Sequence, residues 1–190
     1  NSSSATTISA GGWNSCAVLD NGSAKCWGEN RYGQLGIDER NNTYGDLSGE
    51  MAELTGINLG TGRTATAIST AGNRACAVLD NGSVKCWGDN QFGQLGIENT
   101  TTMGDNPGEM ALLTGINLGT GRTAKSISSG FGHHCALLDN ASVKCWGDNG
   151  LGQLGFNNTT DMGDDSGEMA ALPVVKLSTG RTATAISVGE

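Results

Sequence analysis

Thirteen residues written three times constrain this chain more than anything else in it. CAVLDNGSAKCWG at 16–28 returns as CAVLDNGSVKCWG at 76–88 and as CALLDNASVKCWG at 135–147. Cys16, Cys76 and Cys135 lie 60 and 59 residues apart, and the other landmarks keep step. GQLG falls at 33–36, 93–96 and 152–155, and GDLSGEM at 45–51 returns as GDNPGEM at 104–110 and GDDSGEM at 163–169. TGR closes each unit at 61–63, 120–122 and 179–181. Fixed-period similarity on this scale marks a repeat architecture, in which each unit buries its apolar face against the next. The period divides the chain into repeats 1–63, 64–122 and 123–181, and 182–190 opens a fourth with the strand TATAIS.

Each unit reads as four short strands. In the second these are TATAIS (64–69), ACAVL (75–79), SVKCWG (83–88) and INLG (57–60, or 116–119 at the unit's end). All are β-branched or apolar and bounded by Gly, Asn, Asp or Ser. The stretch from Asp89 to Thr114 is loop-like, with one or two helical turns at EMALL. Glycine supplies 31 of 190 residues and proline 2, which suits tight turns between strands. No helical period of 3.6 supports a helical solenoid. The expectation is an all-β array of tandem four-stranded propeller-type blades.

The cysteine spacing fixes a hairpin register. A two-residue Asn-Gly loop would set Cys76 opposite Trp87. A three-residue loop, Asp80-Asn81-Gly82, sets Cys76 opposite Cys86 and closes with a left-handed residue, where glycine fits best. Opposed residues lie within disulfide reach. The pairs expected are Cys16–Cys26, Cys76–Cys86 and Cys135–Cys145, which point to an oxidising compartment, secreted or at the cell surface. Against them stand six buried thiols, a zinc site lacking clustered ligands, and a reactive pair, which would be C-x-x-C.

Asn-x-Ser/Thr triplets occur at Asn1, Asn21, Asn41, Asn81, Asn99, Asn140, Asn157 and Asn158. Asn21, Asn81 and Asn140 sit at hairpin tips, and Asn41, Asn99, Asn157 and Asn158 in the loop after GQLG. Asn140 precedes an alanine where the turn asks for glycine, a strained choice that keeps the triplet. We expect N-linked glycans here; the plainer reading makes Asn and Ser ordinary turn residues.

Other chemistry is thin. GDxxGE puts Asp46 and Glu50, Asp105 and Glu109, and Asp164 and Glu168 four apart. Calcium is weakly supported, because the dense alternating oxygens of a calcium loop are missing; a turn-starting Asp and a helix-capping Glu explain the motif better. His133 and His134 replace Asn14–Ser15 and Arg74–Ala75 and read as structural. Trp27, Trp87 and Trp146 follow the second cysteine of each pair and read as packing between blades rather than as a ligand-stacking ladder. Trp13 stands outside that pattern. No catalytic motif is recognisable, so no enzyme, cofactor or resident metal is expected. A net charge of −8 without basic clusters disfavours nucleic acid and anionic membrane surfaces. No apolar run approaches a spanning helix.

The run CALLDNASVKCWGDNGLGQLG resembles the regulator of chromosome condensation repeat: strand, glycine turn, strand ending in Trp-Gly, then Gly-Gln-Leu-Gly. The paired cysteines look like the secreted or cell-surface branch of that family. The resemblance implies four-stranded blades in a propeller, usually seven. It also implies roles as unlike as guanine-nucleotide exchange and β-lactamase inhibition, and it carries over no functional residue. The family's histidine two before the first cysteine position matches only His133; Asn14 and Arg74 depart from it.

Three blades do not close a ring, which takes about 4–8. Blade faces left open must be covered by further repeats of the chain or by further copies of it. The first expectation is therefore a structural extracellular glycoprotein assembling end to end, as filament or ring, a reading favoured by loops at Asp89 and Asp148 that are nearly copies. The alternative is a binding module that holds a protein or carbohydrate on its loop face. An exchange factor is disfavoured by the cysteines, triplets and acidity.

Overall fold

The computed structural model describes residues 4–189. Three antiparallel sheets follow one another along the chain. The first orders β1 (Ala5–Ala10), β2 (Asn14–Leu19), β3 (Ala24–Glu29) and the two-residue β4 (Thr43–Tyr44). The second holds β5 (Ala65–Ala71), β6 (Arg74–Leu79) and β7 (Val84–Gly88), and the third β8 (Ala124–Ser129), β9 (His133–Leu138) and β10 (Val143–Gly147). Single helical turns α1 (Glu50–Glu53), α2 (Glu109–Leu112) and α3 (Glu168–Ala171) follow the sheets in turn.

Turn chemistry sets the central hairpin. Gly22 N–H donates to the Leu19 carbonyl at 2.9 Å, and the closing residue is left-handed in all three copies: Gly22 at φ 77°, Gly82 at 76° and Ala141 at 61°. Two strands joined this way place Cys16 opposite Cys26, Cys76 opposite Cys86 and Cys145 opposite Cys135. All three pairs are bridged, with Cα atoms 4.0, 4.0 and 4.1 Å apart. The first strand of each sheet carries a bulge at the same place, between Ala5 and Thr7, Ala65 and Ala67, and Ala124 and Ser126. Such a bulge adds twist to the blade.

The fourth strand is not INLG. The outer position belongs to Thr43–Tyr44 in the first sheet, and to the single bridges Gly88↔Met103 and Gly147↔Met162 in the others. INLG instead lies beside the start of the third strand: Ile57 N–H donates to Ala24 O at 2.9 Å and Ile116 N–H to Val84 O at 2.8 Å. Its alternating Ile57 and Leu59 are buried between sheets, and Gly60, at φ 106°, turns the chain away before a ladder forms. The segment 182–187 takes the place of a first strand without being one. Val188 N–H meets Ser128 Oγ at 3.0 Å, as Thr70 meets Ser9 and Ser129 meets Ser69, but no hairpin pairs with it among the described residues.

The core lies between the sheets. One cluster joins Val18, Cys26 and Leu35 to Ile68, Ala75, Ala77, Trp87 and Met110; the next joins Val78, Cys86 and Leu95 to Ile127, Ala136, Trp146 and Met169. Every residue of β6 is buried, as a strand covered on both faces must be. Cys16–Cys26 and Cys76–Cys86 sit inside these junctions, and Cys135–Cys145 packs with Leu154 against Ala183, Ile186 and Val188.

Candidate functional site

The GQLG motif belongs to the junctions. Trp87 Nε1 donates to the Gln34 carbonyl at 3.1 Å, and Trp146 Nε1 to that of Gln94 at 2.9 Å. A Cβ on Gly36 would lie 2.7 Å from Trp87 Nε1, and one on Gly33 would lie 2.4 Å from the Asp105 backbone nitrogen, so both glycines serve close approach of the next blade. Asp38 accepts from Met110 N–H at 2.8 Å, and Glu98 from Met169 N–H at 3.1 Å. Trp87, Trp146, Met110 and Met169 are wholly enclosed, whereas Trp27 is half-buried and Met51 is 44% exposed. Trp87 and Trp146 therefore pack between blades.

The GD turn consumes its own carboxylate. Glu109 Oε2 accepts the backbone N–H groups of Gly104, Asp105 and Asn106 at 2.9, 3.0 and 3.0 Å, and Glu168 repeats the arrangement. Burial opposes the charge of Glu109, but hydrogen bonds from Asn106 and its neighbours hold the carboxyl below its ordinary value. Asp105 is raised by burial and by Glu109, and pairs with Arg40 of the preceding blade at 3.1 Å. Glu109 Oε2 and Glu168 Oε2 are thus committed to backbone donors, and Asp105 Oδ2 to Arg40.

The triplet asparagines divide likewise. Seven of them, Asn21, Asn41, Asn81, Asn99, Asn140, Asn157 and Asn158, are exposed; Asn1 lies outside the described residues. Five accept a hydrogen bond from the backbone two residues on: Asn21 from Ser23, Asn81 from Ser83, Asn99 from Thr101, Asn140 from Ser142 and Asn158 from Thr160. Asx turns of this kind select Asn-x-Ser/Thr on their own account.

Successive strands are antiparallel, so the hairpin tips and the turns between first and second strands lie at opposite ends of each blade. The tip end reads DNGS, DNGS, DNAS, backed by the ion pairs Arg63–Asp80 and Arg122–Asp139 at 3.2 Å each. The other end varies. Gly12, Gly72 and Phe131 occupy one repeat position, Trp13, Asn73 and Gly132 the next, and Tyr32, Phe92 and Leu151 a third in the adjoining loop. The two loops are joined, Glu29 N–H to Trp13 O at 2.9 Å and Asp148 N–H to Gly132 O at 2.9 Å. Trp13, Phe131, Leu151 and Phe92 are 72, 67, 94 and 44% exposed. Loop uniformity, which favoured a purely structural reading, thus holds at one end only.

This end is rigidly founded. Arg74 Nη2 pairs with Asp89 at 2.8 Å, both side chains buried, while Nη1 donates to the carbonyl of Phe131 in the next blade. Burial lowers the Arg74 guanidinium and Asp89 opposes that. The Phe131 ring rests on Gly72, where a Cβ would lie 3.6 Å away. His133 is lowered by burial against the opposing pull of Asp148, and His134 is fully enclosed. Neither this ion pair nor the aromatic face was singled out by motif; aligning the repeats and asking where they differ would have found both.

Three segments, 5–34, 65–94 and 124–153, match the regulator of chromosome condensation (RCC1) repeat. The chain is 30% identical over 157 residues to human "Probable E3 ubiquitin-protein ligase HERC4", covering 80% of this chain and 13% of that one. It is 30% identical over 155 residues to the Arabidopsis thaliana "Ultraviolet-B receptor UVR8", covering 81% of this chain and 32% of the relative. Among solved structures, human WBSCR16 superposes with a TM-score of 0.67 at 16% identity, over 97% of this chain and 42% of that one. Prp20p of Saccharomyces cerevisiae gives 0.66 at 17% identity, over 93% and 39%. The ligase name belongs to a protein of which this chain spans a small part. By its three matched repeats and its propeller-type blades, the chain belongs to the RCC1 repeat family.

Proposed function

We propose that the chain is a recognition module of an RCC1-type propeller, holding a protein partner on the blade ends that carry Trp13, Tyr32, Phe92, Phe131 and Leu151. The observation that carries this reading is that one face gathers four exposed large apolar side chains, Trp13, Phe92, Phe131 and Leu151, at positions that change from repeat to repeat. Exposed aromatics on a rigid base are the usual anchors of protein interfaces. One structural neighbour supports it: Prp20p is described as binding Gsp1p and histones. The module does no chemistry itself, and the compartment is oxidising, secreted or cell-surface, in keeping with three bridged pairs. The test compares proteins retained from native extract by the wild type, by Trp13→Ala/Phe131→Ala/Leu151→Ala, and by a control altered at Asn21, Asn81 and Asn140. Loss of a retained protein with the first variant alone supports the face; equal retention by all three refutes it.

A second reading, end-to-end assembly through blade stacking, is favoured by one observation. The Trp27 and Met51 face lacks the enclosure that Trp87 and Met110 enjoy, and the Gln153 carbonyl occupies the place of the acceptors Gln34 and Gln94. Sedimentation and negative-stain microscopy distinguish the two: concentration-dependent fibres that vanish in Trp27→Ala support stacking, and a monodisperse particle sinks it. N-linked glycans on the exposed triplets are part of either reading. Deglycosylation that leaves the mass of the native protein unchanged removes them.

A further inference from the structure

The second and third sheets meet around an arginine at the variable end, and the first and second meet without one. Arg74, on β6, lays its guanidinium between the Asp89 carboxylate, 2.8 Å away, and the carbonyl of Phe131 in the next blade, whose ring leans back on Gly72. One repeat earlier, Asn14, Glu29 and Gly72 hold the places of Arg74, Asp89 and Phe131, and Gly12 holds that of Gly72. The backbone is alike in both: Glu29 N–H meets Trp13 O at 2.9 Å, as Asp89 N–H meets Asn73 O at 3.1 Å. Asn14 is too short to do what Arg74 does. Its side chain is 3% exposed, yet neither amide atom has a hydrogen-bond partner among the described residues. Enclosing an idle amide is costly and uncommon. Glu29, half-buried, enters none of the ion pairs among the described residues, and Arg31, two residues on, is turned onto the Tyr32 ring at 5.7 Å. The Gly72 carbonyl accepts no hydrogen bond among those residues either. A Cβ on Gly12 would meet nothing within 4 Å, so no ring covers this junction as Phe131 covers the next.

We propose that this junction receives an arginine side chain presented by the protein partner. The inference rests on the recognition face proposed above and names the anchor it takes. The incoming guanidinium donates to the Glu29 carboxylate and the Gly72 carbonyl, in the manner of Arg74, with Asn14 Oδ1 as a third acceptor at the inner end. Trp13, next in the chain and 72% exposed, supplies an aromatic face on which the cation stacks. A guanidinium holds its donors in a fixed planar fork that matches a carboxylate and a neighbouring carbonyl; a lysine ammonium is a point charge without that fit. The net charge of −8 draws a cationic partner toward the chain. In the third repeat His133 holds this place beside Asp148, so the first repeat alone sets an acid beside a short neutral amide.

The test titrates the isotope-labelled full chain with Nα-acetyl-arginine methylamide at low salt, and separately with its lysine counterpart, read by NMR. Saturable shifts are expected at the Trp13 indole, the Asn14 side-chain amide and the Gly72 backbone amide, with the lysine compound about fivefold weaker or more. Asn14→Arg supplies the guanidinium from within, as the next repeat does, and Glu29→Gln removes the charge; each should weaken binding about tenfold or more. Should Asn14→Arg not fold, Glu29→Gln decides alone. The proposal is overturned by equal binding of the two compounds, by undiminished binding to Glu29→Gln, or by no saturable shift. If, with such a result, Trp13→Ala/Phe131→Ala/Leu151→Ala still loses its extract protein, the arginine anchor falls and the face stands; if all chains retain that protein equally, both fall.

Discussion

The tryptophans offer the sharpest test of how the array is held together. Trp146→Ala empties a fully enclosed indole site and strands the Gln94 carbonyl that the ring reaches at 2.9 Å. Large-to-small substitution of a buried Trp costs about 3–5 kcal/mol. For a chain of this size each kcal/mol moves Tm by about 2–4 °C, so the expected drop is about 6–20 °C. Trp87→Ala, with the same burial and a 3.1 Å bond to Gln34, should match it. Trp27 has the same place in its repeat but is only half-buried, so its loss should cost roughly 1 kcal/mol in the monomer. Thermal unfolding of the three variants by circular dichroism, at a concentration where sedimentation shows monomer, reads the difference. Equal losses in all three would show that the ring stabilises its own blade rather than the junction, and the stacking account would be wrong.

Further outcomes follow from particular sites. Burial, then Arg74 and His133, holds the folded-state pKa of His134 well below 6.5. The unfolded chain therefore binds the extra proton first, and stability should fall as pH drops below 6.5, by up to about 1.4 kcal/mol per unit, with no effect above it. His134→Leu should flatten that slope in denaturant titrations from pH 5 to 8; an unchanged slope refutes the assignment. Ala141→Gly should raise stability by about 1 kcal/mol, because residue 141 sits at φ 61°, and a neutral or negative effect in urea unfolding would deny the strain. Glu109→Ala should cost about 1.5–3 kcal/mol through three stranded N–H groups, whereas calcium or a chelator should leave Tm of the wild type unmoved. A calcium-dependent rise in Tm would reopen the metal reading of GDxxGE.

What could be read from the sequence was local or periodic. The register of Cys76 against Cys86 follows from three turn residues, and the blade count follows from counting. INLG misled because its alternation reports burial without reporting hydrogen bonds: Ile57 and Leu59 are buried, yet the outer ladder is closed by a two-residue strand or a single bridge that no pattern announces. Gly33 and Asp105 meet across 72 residues, so the reason for the first glycine of GQLG lay in the next repeat. The Asn-x-Ser triplets carried two meanings at once, and the turn hydrogen bonds of Asn21, Asn81 and Asn140 supply one that needs no glycan. The face with Trp13 and Phe131 was hidden for a different reason. Repetition draws attention to what is kept, and the proposed recognition face lies in what changes.

The proposed recognition at this variable end of the blades is open to direct test. The most direct measurement replaces single residues by a photo-crosslinking amino acid, at Trp13, Phe131 and Leu151 on one face and at Asn81 and Thr120 on the other, in native extract. Crosslinks to one discrete protein species are expected from the first three sites, with the remaining two silent. Crosslinks from Asn81 or Thr120 with none from Phe131 would place recognition at the opposite end and contradict it.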